Sequence, residues 1–233
     1  MGFYDETMNT VHEKMINYEL QERFDAKSKD YETAKNSLII RPINIDAAKP
    51  NSVYRIIGLD IALTLYMILK NENGTLNTVQ VPKELIEHWN VNVNDVFDNA
   101  LTNTETLQKP RYFNSIFDSC DDSRGKDIDD FSSVKMDELT SIMITTNKKT
   151  NGAIAMFFPD TQKAIADGLN TSYYAVFTSI HECIIHPINC GINPASIARN
   201  LQETNRIFGP ADTLTNSVFL YDKDRNTFNP LIA

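Results

Sequence analysis

Glycine and proline are scarce, eight and nine in 233 residues, and no two glycines lie within fifteen positions of each other. That spacing excludes the glycine-rich phosphate loops of P-loop and Rossmann folds and the GxSxG elbow of the α/β-hydrolases. Cysteine is limited to Cys120, Cys183 and Cys190, an odd number without a CxxC pair, which excludes a zinc ribbon or a full disulfide framework and fits reduced thiols. The most apolar run, from Ile56 to Leu69, is interrupted by Asp60 and falls short of the ~20 residues needed to cross a bilayer. The first ten residues, MGFYDETMNT, lack the basic and apolar blocks of a signal peptide, and Glu6 stands where myristoylation requires Ser or Thr. A cytoplasmic protein with no membrane association is expected. Basic residues are the minority, 22 against 31 acidic, for a formal charge of -9, so no nucleic-acid binding through a basic patch is expected.

Apolar residues make up 42% of the chain, enough for a sizeable buried core. The first 36 residues alternate acids and bases around Met8, Val11, Met15, Tyr18 and Phe24, a spacing that predicts a helical extension with a thin apolar stripe. SLIIRPINI, broken by Pro42, reads as an edge strand. Val53 to Lys70, apolar on most sides, predicts a buried helix at the hub of a first lobe over 37–117. LNTVQV alternates like a half-buried strand, and two short helices follow, from Pro82 and from an N-cap at Asn94. Six aspartates with Gly125 crowd residues 118–133, which predicts an acidic linker or loop.

A second lobe over 134–233 is expected to carry strands at Ile142 to Thr146, Ala153 to Phe158, Tyr173 to Thr178, Ile180 to His186 and Ser217 to Tyr221. Helices fall near 160–169 and 194–208. The expected class is α+β: a helical N-terminal lobe with a short strand pair, then a largely antiparallel sheet packed by helices on one face.

HECIIH at 181–186 superficially matches a zinc-protease motif, but its histidines stand at i and i+5, roughly 140° apart on a helix, so no metal site is assigned. Ser179, His181 and Glu182 are the candidate catalytic residues of a hydrolase-like reading, although no oxyanion-hole signature accompanies them. Asn147, Lys148 and Lys149 in TTNKKTNG are candidates for an anion cradle, since turn amides and two cations favour one; the competing reading is a solvated hairpin. No cofactor is implied.

Beyond residue 37 the order of IIRPIN, RIIGLDIALTLYM, VPKELIEHWNVNVNDVFDNALTNT, TTNKK with GAIAMFF, SIHE and LTNSVFLYD resembles a bacterial family defined by a domain of unknown function, number 5688 of that series. The resemblance implies a setting among gut Firmicutes and their mobile elements, and no reaction. The acidic charge, the N-terminal stripe and the missing catalytic signatures point to a non-catalytic protein that binds a protein partner, as an accessory or anti-defence factor of a mobile element. The alternatives are an enzyme at Ser179, His181 and Glu182, or an acidic mimic of nucleic acid.

Overall fold

A computed structural model describes residues 18–72, 75–133 and 141–231. The chain is α+β and falls into two compact units. The first comprises residues up to Ile40, Asn51–Val53 and Leu65–Asn103; the second comprises Arg41–Pro50, Tyr54–Thr64 and Thr104–Ala233. The division interleaves along the chain and does not fall at the expected boundary. The acidic stretch, expected as a linker or loop, lies within the second unit as short 3-10 turns and a two-residue strand. Its charges are held locally: Asp118 pairs with Arg124, and the Asp121 carboxylate accepts the Ser123 amide at 3.0 Å.

One four-stranded sheet has the order β1-β3-β2, with β4 also pairing to β3. Its strands are β1 (Leu38–Asn44), β2 (Tyr54–Gly58), β3 (Ile61–Glu72) and β4 (Thr75–Gln80). The helix expected over Val53 to Lys70 is therefore a hairpin of β2 and β3. A continuous apolar run has no period that separates a buried helix from a buried strand; here Asp60, with Gly58 and Leu59, turns the chain and lets Ile61–Thr64 pair back on Tyr54–Gly58. β1 lies at the edge, as Pro42 requires.

In the first unit a helix over 18–28, α1, and the short α2 (Tyr31–Ala34) precede β1; α3 (Lys83–Trp89) and the first part of α4 (Val93–Leu107) follow β4. Met8, Val11 and Met15 lie outside the described residues. Trp89 is core: its indole Nε1 donates to the Ser28 carbonyl at 2.8 Å and its ring lies 5.8 Å from that of Tyr31. Asn103, one turn before the end of α4, donates to the Lys35 and Leu38 carbonyls at 2.7 and 3.0 Å. Asn92, not Asn94, caps α4, because its side chain accepts the Asn94 amide at 2.9 Å.

The second unit holds a seven-stranded sheet in the order β11-β10-β8-β9-β7-β5-β6, antiparallel at every pair. The strands are β5 (Pro110–Phe113), β6 (Lys126–Asp127), β7 (Ile142–Thr146), β8 (Tyr173–Val176), β9 (Cys183–Pro187), β10 (Val218–Asp222) and β11 (Thr227–Pro230). Phe113, Met143, Ile184, Val176 and Val218 align across neighbouring strands and bury one face against Ile197 and Leu201 of α6 (Pro194–Phe208). Tyr112 points to the other face, where its ring meets Phe131 at 4.7 Å, and Phe131 packs on Gly168 of α5 (Thr161–Leu169). Helices thus cover both faces rather than one. Where a strand was expected from Ala153 to Phe158, Gly152–Phe157 forms a 3-10 helix, entered from Asn151 at φ +54°.

Leu65, fully buried in β3, should lose about 2–5 kcal/mol on truncation to alanine, whereas Ile56→Ala, on a side chain 57% exposed, should cost under about 0.5 kcal/mol. Chemical denaturation of the two variants followed by circular dichroism checks both.

Candidate functional site

The TTNKKTNG and SIHE segments, 26 or more residues apart in sequence, meet in the second unit. β7 delivers the first segment and β9 receives the second. The Thr145 hydroxyl donates to the His181 carbonyl at 2.8 Å, the Asn151 amide donates to His181 Nδ1 at 3.0 Å, and the Ala153 amide donates to the Ile180 carbonyl at 3.2 Å. Gly152 permits this approach. A Cβ there would stand 2.5 Å from the His181 carbonyl oxygen and would overlap the Thr145 hydroxyl.

SIHE itself is not a strand; β9 begins only at Cys183. The Ser179 hydroxyl donates to Glu182 Oε1 at 2.7 Å and accepts the His181 amide at 2.9 Å, and the Thr178 hydroxyl also donates to Glu182 Oε1, at 2.9 Å. Ser179 is buried and commits its proton to Glu182 rather than to His181. Because His181 Nδ1 accepts a backbone N–H, the neutral ring carries its proton on Nε2, which lies 3.8 Å from the Asp212 carboxylate. The structure therefore brings Ser179, His181 and Glu182 into one loop without a hydrogen bond between the Ser179 hydroxyl and the His181 ring.

The amides expected to cradle an anion are used inside the turn. Asn147 donates to the Lys109 carbonyl, Lys149 to Thr146, Thr150 to Lys148 and Gly152 to Lys149, at 2.7 to 3.2 Å. Lys149 Nζ donates to the Ser119 carbonyl at 2.6 Å, pairs with Asp122 and sits 5.4 Å from the centre of the Phe113 ring. Asn147 and Lys148 are exposed. A cleft of about 450 Å³ opens between the two segments, lined by Ile116, Met143, Lys149, Thr150, His181 and Glu182 among others.

Elsewhere in the same unit a groove of about 620 Å³ runs beside the first turns of α6. Its apolar walls are Leu59, Pro194, Ala195, Ala198, Val218 and Leu231, and none of the described residues lining it is charged. Leu59, at the tip of the β2–β3 hairpin, is 61% exposed. The hairpin is fixed by Asp60, whose carboxylate accepts the Thr215 hydroxyl at 2.7 Å and whose carbonyl accepts the Ile45 amide at 2.7 Å. β2 pairs with β3, and it carries exposed Tyr54, Ile56 and Ile57. Sequence reasoning missed this groove, since Leu59 was taken as buried helix and the small residues of α6 mark no function by themselves. It also missed Thr178 and Asp212, for which the linear pattern gives no signal.

Among the described residues no three His, Cys, Asp or Glu side chains converge as metal ligands. Cys120, Cys183 and Cys190 are unpaired, and burial pushes the Cys183 thiol well up from its ordinary value. Burial lowers His186 below its ordinary value. No described helix is long and apolar enough to cross a membrane.

The fold and site together define an α+β protein whose antiparallel sheet carries a glycine-dependent clamp between two loops. The chain belongs to the family described as Family of unknown function (DUF5688), whose model matches residues 2–223. No curated protein and no solved structure matches it.

Gly152→Ala should destabilise the protein by about 1–3 kcal/mol, since backbone and a buried hydroxyl must both shift; a drop in melting temperature checks it. A second expectation concerns pH. A histidine held neutral by burial leaves the unfolded chain binding more protons, so stability should fall as pH drops through the unfolded value near 6.5 and level off below the lower folded value. His186→Gln should flatten that dependence between pH 7 and pH 5 in denaturation titrations.

Proposed function

We propose that this chain acts by binding another protein, and that the uncharged groove beside α6, with the hairpin tip at Leu59, is where the partner docks. The observation that carries this reading is a concave apolar surface of about 620 Å³ without a charged wall, continuous with an exposed aliphatic side chain. Burying Leu59 alone would contribute roughly 1–2 kcal/mol, given its 61% exposure in the free chain. The finer reading, an accessory or anti-defence factor of a mobile element, rests on the family resemblance alone.

The hydrolase-like alternative is favoured by one observation, the approach of His181 Nε2 to Asp212. It gains less support, because a serine nucleophile needs its base within hydrogen-bond reach and Ser179 donates to Glu182 instead.

Tagged protein should capture a partner from its host that is lost from Leu59→Asp and Ala198→Asp variants and retained by His181→Ala. Mass spectrometry of the eluates from the unaltered protein and the three variants reads this out. Capture by all three alike, or by none, overturns the docking surface; loss from His181→Ala alone moves the function to the SIHE cleft.

A further inference from the structure

Glu182 is half-buried, lines the cleft, and has no cationic partner within ion-pair distance among the described residues. Its carboxylate is nevertheless strictly oriented. Both loop hydroxyls, of Thr178 and Ser179, donate to the same oxygen, Oε1, while Oε2 receives no hydrogen bond from a described residue. A carboxylate with one oxygen fully used and the other open offers a single acceptor point. That geometry suits a compact ammonium group better than a guanidinium, whose parallel N–H fork is matched by two open oxygens.

The surroundings agree in charge and in apolar character. Lys149, the one cation among the described residues lining the cleft, is neutralised by Asp122, and Asp212 adds a further carboxylate 3.8 Å from the His181 ring. The chain as a whole carries a formal charge of -9, which favours the approach of a cation. Ile116, 43% exposed, and the buried Met143 supply an apolar wall along which an alkyl stem can lie, and Phe117 beside them is 84% exposed. Thr150, exposed and lining the cleft, carries a hydroxyl of the kind that can accept a second ammonium proton.

We propose that the cleft between the two loops is a binding site for a primary ammonium group on an alkyl stem, with Glu182 as its counter-ion. The site is separate from the groove beside α6 and stands or falls independently of it. A lysine side chain of a protein and a free alkylamine share this chemistry.

The test is a titration of the full chain, followed by methyl NMR at Ile116 and Met143, with three probes: Nα-acetyl-lysine methylamide, butylammonium, and the norleucine analogue that keeps the stem and lacks the charge. Saturable shifts with either ammonium probe, absent with norleucine and weakened at least tenfold in Glu182→Gln, are expected. The glutamine oxygen still accepts both hydroxyls, so the loop geometry is retained. Binding of butylammonium without the lysine probe assigns the site to free amines; binding of both admits a protein side chain. Equal shifts with norleucine, an unchanged Glu182→Gln titration, or no saturable shift with any probe overturns the proposal. Should Glu182→Gln fail to fold, the norleucine comparison on the unaltered chain still decides.

Discussion

The approach of Gly152 to the His181 carbonyl is the contact on which the second unit's loops depend. Because no Cβ stands at 152, the Thr145 hydroxyl reaches the same carbonyl and the Asn151 amide reaches the ring of the same residue. Three separate bonds then tie the segment leaving β7 to the segment entering β9. Each contributes about 1 kcal/mol net, so the clamp matters less as a sum of energies than as a constraint on position. It places Glu182, His181 and Lys149 around one cleft, and it starts the 3-10 helix that runs from Gly152 to Phe157.

That constraint is affordable because the sheet beneath it is well packed on both faces. Aligned residues from five strands meet α6 on one side, while Tyr112, Phe131 and Gly168 bring α5 close on the other. A sheet covered twice can hold irregular loops at its strand ends without losing register. The polar groups of those loops are bonded to one another, which is how Ser179 and Thr145 are buried at little cost.

The same logic separates charges used in structure from charges left open. Much of the acidic stretch from Asp118 onward is internally satisfied, and Lys149 is drawn into it through Asp122 and Ser119. Glu182 differs, being held by hydroxyls rather than by a cation. The apolar groove at Leu59 differs again, since its walls are uncharged and one of its side chains stands mostly in solvent.

Composition and pattern determined the α+β class, the antiparallel second sheet, the helices near 160–169 and 194–208, and the edge position of the strand with Pro42. These follow from local rules, in which β-branched runs favour strands, Asn and Pro open helices, and proline avoids a central ladder. Tertiary structure alone decided that Val53 to Lys70 is a hairpin, that Gly152–Phe157 is a 3-10 helix, and that the acidic stretch belongs to the second unit. An apolar run carries the same pattern whether its backbone bonds to itself or to a neighbouring strand, and only the neighbour's arrival settles the choice. The candidate sites obey the same division: SIHE and TTNKK were visible as residues, but their meeting at Gly152, and the open oxygen of Glu182, exist only once distant segments are brought together by the sheet.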